Sequence, residues 1–564
     1  MSVFVDRLRA LPSSSRPAPK RFAFLAYDQL HAAFVPADPD VGLLFVECPA
    51  KARRRPYHRQ KLALLLTNLR HFALEQAAAG RHVVHRVSAG GYADVLADVA
   101  RAHGVVDVAR PAERELRAEL QPLVDAGQVR FTPHPGWLTT DDDFAAAGPA
   151  TGPWRMDAFY RAVRRRTGWL MEAGKPQGGR FSFDGENRRR WPGTPAAPSP
   201  PRFVVDDITA EVVELVRARF ADHPGTLDAA AIPATHDDAQ ALWRWAKEHC
   251  LPHFGPYEDA MSTASRGLFH SRVSPLLNLH RLMPRQVVDE LLALPLPLPS
   301  QEGFLRQVAG WREFVRHVHD ATDGFRRGPG SAEDGAPSLL GARDPLPPAF
   351  WPSSSPSTAS SSAASSSSAS SSSTPSSWRG APSGLRCLDN VVEDVWAEGW
   401  SHHITRLMVL ANIGALLDVS PRALTDWFWV AYVDAFDWVV EPNVLGMGTF
   451  AVGDVMTTKP YIAGSAYIDR MSDHCAGCAF SPKRAVDEGG CPLTSLYWAY
   501  LHRHAAALSD VERMKLPLAS ARKRSEAQRA TDERVADVVR ATLQRGEALA
   551  PPALVAAVRR AATT

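Results

Sequence analysis

The chain has 564 residues, 45% hydrophobic and 22% charged, with 64 basic against 61 acidic side chains and a formal net charge of +3. This is the balance of an ordinary folded protein with room for two to four cores at about 150 residues each, and it is too even to mark a polyanion binder by charge alone. No stretch of about 18 uncharged apolar residues is present, which predicts no membrane span, and only six cysteines point to a reducing compartment.

In chain order, residues 1–20 carry Arg7, Arg9, Arg16 and Lys20 against Asp6. They lack the apolar centre of a secretion signal, so a flexible basic arm is expected, with organelle targeting as the other reading. From residue 21 short apolar runs at 22–27, 41–48, 82–87, 105–109 and 129–133 read as strands, and leucines three and four apart at 59–80 read as a helix closed by glycine. Strands separated by helices predict a parallel sheet covered on both faces. Residues 21–138 are therefore expected to form one α/β, Rossmann-like domain, although the Gly-x-Gly-x-x-Gly fingerprint of dinucleotide binding is absent.

Residues 139–205 read as a connector holding a helix at 154–174 and a basic, glycine-rich, aromatic loop at 175–193. That loop suits a phosphate backbone and an interdomain cover equally. Strand signals then fade, and helices are expected at 208–220, 236–248, 284–293, 300–319, 387–417, 421–433, 492–506 and 527–546. This predicts a mostly α-helical domain over 206–545 and a tail at 546–564. The serine- and alanine-rich stretch 352–377 cannot bury enough surface to order itself and reads as a disordered insertion between Trp351 and Trp378.

Four cysteines stand together in the second half: Cys387, the pair Cys475 and Cys478, and Cys491 followed by Pro492. Four thiolates with a Cys–Pro closing element suit a [4Fe–4S] cluster; a four-cysteine zinc site and unligated or disulfide-bonded thiols stay open. Cys48 and Cys250 read as buried apolar side chains. At 398–412, "EGWSHHITRLMVLAN", a helix would put His402 and Arg406 one turn apart, with His403 facing Arg406 and Leu407. Such a group can move a proton and fix an anion, or can be purely structural. Further on, Trp427, Phe428, Trp429, Tyr432, Phe436 and Trp438 are interrupted by Asp434 and Asp437. These aromatics read as core before electron relay, and a buried Asp434 needs a partner, for which Arg406 is the candidate.

The 257–282 segment gathers Ser262, Thr263, Ser265, Arg266, His270, Ser271, Arg272, Ser274 and Asn278. These donors suit a phosphate clamp, and also ordinary caps and loops. Basic runs at 53–55, at 161 with 164–166, at 188–190 and at 522–529 read as solvated faces unless several converge into a phosphate-binding surface.

Taken together, the four cysteines with "GWSHHITRLM" at 399–408, "NVLGMGTFA" at 443–451, "AYIDRMSDHCAGC" at 466–478, "YDQL" at 27–30 and "YHRQKLALLLTNLRHFA" at 57–73 resemble the iron–sulfur branch of the cryptochrome/photolyase family, the branch of prokaryotic (6-4) photolyases. The resemblance covers about residues 21–545. It implies an antenna domain carrying 6,7-dimethyl-8-ribityllumazine, a helical domain holding FAD, and a [4Fe–4S] cluster. The implied activity is light-driven repair of (6-4) photoproducts, by a monomer acting on UV-damaged double-stranded DNA in a bacterial cytoplasm at the nucleoid. A cryptochrome-like photoreceptor with a signalling partner is the alternative from the same branch.

Carried over, the resemblance places His402 and His403 beside the lesion, the Arg406–Asp434 pair against the flavin, and 270–278 (His270, Ser271, Arg272, Ser274, Asn278) at its phosphates and ribityl chain. It makes Trp427 and Trp378 members of a photoreduction path and associates Asp184 and Asp259 with a divalent cation such as Mg2+. Three positions depart from the family: Phe428 where an oxidisable tyrosine is expected, Val440 (with Glu441 next) where a glutamate near the flavin is expected, and Lys51 where a lumazine-contacting glutamate is expected.

Overall fold

The computed structural model describes residues 2–11, 19–352 and 380–560. Trp378 and all but the first residue of the 352–377 stretch lie outside them. Five parallel strands, β1 (Arg21–Phe24), β2 (Val41–Glu47), β3 (Val83–Val87), β4 (Val106–Ala109) and β5 (Val129–Thr132), form a sheet in the order β3-β2-β1-β4-β5. Every residue of β2 is buried, as expected of a central strand covered on both faces. The order reverses beside β1, and the carboxyl ends of β1, β2 and β4 lead into Tyr27, Asp28, Lys51 and Glu113 at that reversal, where an open α/β sheet has its crevice.

Past residue 206 the described residues form helices joined by loops and no strand beyond isolated bridges, so an N-terminal parallel-sheet domain precedes a largely α-helical one. The two are pinned together by Lys61, on the Arg59–Ala78 helix. Its buried Nζ donates to Trp429 O at 2.8 Å and Ala435 O at 2.5 Å, and His58 N donates to Val430 O at 2.9 Å. Burial holds the Lys61 ammonium well below its ordinary pKa, and the two carbonyls take the hydrogen bonds that water would otherwise make.

Several expectations need correction. The basic arm is a helix over Val3–Ala10, capped by Ser2 and anchored by fully buried Phe4; a single aromatic docking on the core outweighs the polar composition around it. The tail contains the Pro551–Arg560 helix with Leu554 buried. The helix expected at 154–174 runs only Met156–Thr167, ending at left-handed Gly168.

The long helix expected at 387–417 is two. Arg386–Glu398 ends at Gly399, φ 64°, and the chain resumes helically at His403, leaving His402 extended at ψ 164°. A Cβ on Gly399 would lie 2.7 Å from Val433 Cγ1, so the break requires glycine for both conformation and space. Among the described residues no helix is long and apolar enough to cross a membrane.

Candidate functional site

The break at Gly399 builds the site. Val433 N donates to Gly399 O at 2.8 Å, which lays 399–402 along 432–434. Arg406 then reaches Asp434 with both guanidinium arms, Nη1 to Oδ1 and Nη2 to Oδ2 at 2.9 Å each. Ser274 Oγ donates to Asp434 Oδ2 at 2.6 Å and Asn278 Nδ2 to Asp434 O at 2.9 Å. Burial alone would raise the Asp434 carboxyl; Arg406, Ser274 and nearby Lys61 outweigh it and hold the pKa below the usual range. Arg406 also lies 4.1 Å over the Tyr432 ring.

His402 is buried and stacks on His270, with centroids 4.4 Å apart and planes at 7°. Burial, with His403 and Arg406 nearby, pushes the His402 imidazole well below its ordinary pKa, so it is neutral at pH 7. His402 Nδ1, His270 Nε2 and Trp400 Nε1 are buried and have no hydrogen-bond partner among the described residues. Buried polar atoms are normally satisfied, so a ligand's polar groups fit here. Arg272 instead turns to Glu398, at 2.6 Å, and to the Trp400 ring, at 4.3 Å. Ser271, also buried, lies between it and His270 in sequence.

His403 opens outward, its side chain 40% exposed, with Nε2 3.8 Å from Asp259 Oδ1. Asp259 and Asp184 do not face an open cation site. Arg188 lies between them, paired with Asp184 and 3.5 Å from Asp259 Oδ2, and Arg306 reaches Asp184 at 3.4 Å. A divalent cation would have to displace Arg188.

The basic runs separate by location. Arg164 is fully buried and donates to the carbonyls of Trp169, Leu170 and Phe181. Arg54 and Arg55 pair with Glu119 and Glu115 inside the N-terminal domain. Exposed Arg188, Arg189 and Arg190 line the loop beside Asp184 and Asp259.

Trp427 is buried 6.1 Å from Tyr432, and Trp396 lies 6.1 Å beyond it. Half-buried Trp351 stacks on Trp396 at 5.6 Å. Trp396 and Trp351 escaped the sequence reading because they lie 31 and 76 positions before Trp427 in no local pattern. Phe428 stacks on Tyr432 at 5.4 Å, so a phenol does stand beside the expected position. Val440 is buried, while Glu441 is engaged by His319 at 3.0 Å and Arg422 at 2.8 Å. Against the cost of burial these partners bring the Glu441 carboxyl to about 2.

Cys387, Cys475, Cys478 and Cys491 line one pocket. All are free thiols. Burial pushes the Cys475 thiol to about 11 and Cys491 to about 12, their mutual repulsion adding to it, so they ionise together only around a cation. Among the described residues no three His, Cys, Asp or Glu side chains are arranged to hold a single ion.

At the crevice of the sheet, Lys51 and Tyr27 both bond the buried Glu113 carboxylate, and Lys51 lies 5.1 Å over the Tyr27 ring. The chain's own ion pair occupies the position that the resemblance gives to the antenna.

A family model described as deoxyribodipyrimidine photo-lyase-related protein matches residues 24–231. The chain is 31% identical over 502 residues, 86% of its length and 91% of the relative's, to the (6-4) photolyase of Agrobacterium fabrum. Two solved structures are similar in fold. A bacterial class III photolyase from Agrobacterium tumefaciens has TM-score 0.50 and 15% identity, with 95% of this chain and 100% of that one covered. A cryptochrome from Synechocystis has TM-score 0.52 and 12% identity, with 97% and 99% covered.

Proposed function

The chain belongs to the photolyase/cryptochrome superfamily, related to bacterial (6-4) photolyases, and from that premise we propose that it repairs (6-4) photoproducts in DNA using light and FAD. The observation that carries this reading is the cluster that holds the Arg406–Asp434 pair, the stacked His270 and His402 with their unpartnered nitrogens, and the partly exposed imidazole of His403. Bound FAD would supply the light-driven electron. Arg406, Asp434, Ser274 and Asn278 would hold it, and the neutral His402 would offer a hydrogen bond without adding charge.

A lesion extruded from the duplex costs less to unstack than an intact base, and it would meet His403 first. His403 would give a proton to the hydroxyl or amino group that must return to its original base, with Asp259 orienting the imidazole. Arg188, Arg189 and Arg190 suit the flanking phosphates. Asp184 and Asp259 would hold a divalent cation only with Arg188 moved off them.

The hole left after flavin photoreduction would run through Trp427 and Trp396 to Trp351, with Trp378 a further member by resemblance. For the cysteine centre we favour [4Fe–4S], because four thiols from three separate segments line one shared pocket and the last of them is followed by proline, as in cysteine-held clusters.

Illuminating the reduced protein with oligonucleotides carrying either a (6-4) photoproduct or a cyclobutane dimer tests the function. Restoration of the (6-4) substrate alone is expected. Flavin absorbance without repair of either lesion would replace this reading with a photoreceptor.

A further inference from the structure

The cysteine centre and the candidate pocket grip one stretch of chain between them. Residues 259–273 form no helix or strand beyond an isolated bridge between Ser262 and Ser265, so their shape is imposed from outside. On one side stands Asp473, directly before the His474–Gly477 turn that carries Cys475. Its Oδ1 accepts from Thr263 N at 2.8 Å, and its Oδ2 accepts from Ser262 Oγ at 3.0 Å and Thr263 Oγ1 at 3.1 Å. Met261 N adds a bond to Met471 O at 3.0 Å.

On the other side is the Arg386–Glu398 helix, which carries Cys387 in its first turn. Its far end receives Arg266, at 2.6 Å to Asp394 and 3.0 Å to Glu398, and Arg272 at 2.6 Å to Glu398. Asp259, beside His403, lies two positions before the first grip, and His270, stacked on His402, lies between the two arginines of the second.

We infer that Asp473 is a positioning residue that transmits the geometry of the four-cysteine centre to the pocket, setting where Asp259 and His270 stand. A carboxylate accepting three hydrogen bonds fixes the loop in direction as well as distance. The centre would then serve recognition mechanically, without any electron leaving it. The part concerning DNA rests on the proposed function; the coupling itself does not.

The test uses the full-length protein with its flavin and metal centre. Asp473→Ala is expected to raise KM for a lesion-bearing duplex about tenfold, to slow single-turnover repair of bound DNA as Asp259 loses its place beside His403, and to speed hydrogen exchange at the Thr263 amide. Asp473→Asn, which keeps a carbonyl acceptor for that amide, should recover most of the affinity. Because Asp473 is two positions from Cys475, iron is measured in each variant. The double variant Ser262→Ala with Thr263→Val removes both hydroxyl bonds from outside the cysteine turn and should weaken affinity with iron retained.

Parental affinity and parental exchange in the variants that keep iron would overturn the inference. If the parental protein binds no damaged DNA, the proposed function fails. Exchange at 259–263 then decides the coupling alone: faster exchange supports it and parental exchange overturns it.

Discussion

Trp396 and Trp427 donate their indole N–H groups to the same acceptor, the carbonyl oxygen of Phe350, at 2.9 Å each. A backbone carbonyl cannot take a proton from an oxidised indole, so neither of these two sites would trap a hole by deprotonation there. Half-buried Trp351 stacks on Trp396 and is nearer to solvent. Trp396→Phe should therefore slow light-driven flavin reduction at least about tenfold, equivalent to about 1.4 kcal/mol of barrier, with flavin content unchanged. Steady illumination with an external thiol reductant measures it; an unaltered rate would remove Trp396 from the path.

His403→Ala should keep flavin and lower (6-4) repair at least about tenfold, since His403 is the exposed member of the pair. His402→Ala should also lose repair, with some loss of thermal stability, because its ring is buried against His270. Flash-triggered single turnover beside damaged-DNA affinity separates the two effects. Repair at the parental rate in both variants would end the proton-transfer role.

Arg406→Ala removes both guanidinium bonds to Asp434 and leaves only the Ser274 hydroxyl on its carboxylate. Flavin occupancy should fall after purification, while a conservative Arg406→Lys, with a single donor in place of the fork, should recover only part of it. The ratio of flavin to protein absorbance is the measurement.

Anaerobic preparations should contain about four irons and four acid-labile sulfides per chain. Cys475→Ser should lower folded yield, since a metal-held cross-link between distant segments contributes folding free energy. Stoichiometric zinc without sulfide would reject the cluster.

Asp28 is buried, its Oδ1 has no hydrogen-bond partner among the described residues, and desolvation pushes its carboxyl to about 7. An acid whose folded pKa is raised from about 3.8 contributes stability that is full below the unfolded value and is lost as pH climbs to the folded one. The loss is on the order of 4 kcal/mol. Asp28→Asn should gain on the parent as pH rises from about 4 to 7 and gain nothing further above it. Denaturant titrations at three pH values check the trend, and a pH-independent difference would mean that Asp28 titrates normally.

The sheet was legible because apolar runs such as Val41–Glu47 admit few other readings. The cysteines and the His402–Arg406 motif were legible by residue type and spacing. The geometry of that motif was not: periodicity carried the helix through Gly399, although a glycine after a helical run signals an end, and the left-handed turn there takes His402 off the helix. Trp351 and Trp396 meet Trp427 only through tertiary packing. Charge misled in the other direction, because Arg164 looks like part of a phosphate-binding run and spends its donors on three buried carbonyls. Sequence reports that a donor exists, and the fold decides what accepts from it.

Lys61 gives the N-terminal domain a direct hold on the loop that contains Asp434. A hybrid built by exchanging that domain with one from a relative would therefore inherit its flavin affinity partly from the donor of the sheet. If the incoming helix lacked a lysine at this place, the Trp429 and Ala435 carbonyls would be left bare at the seam. Matching that one side chain matters more to such a graft than matching the crevice at the carboxyl ends of the strands.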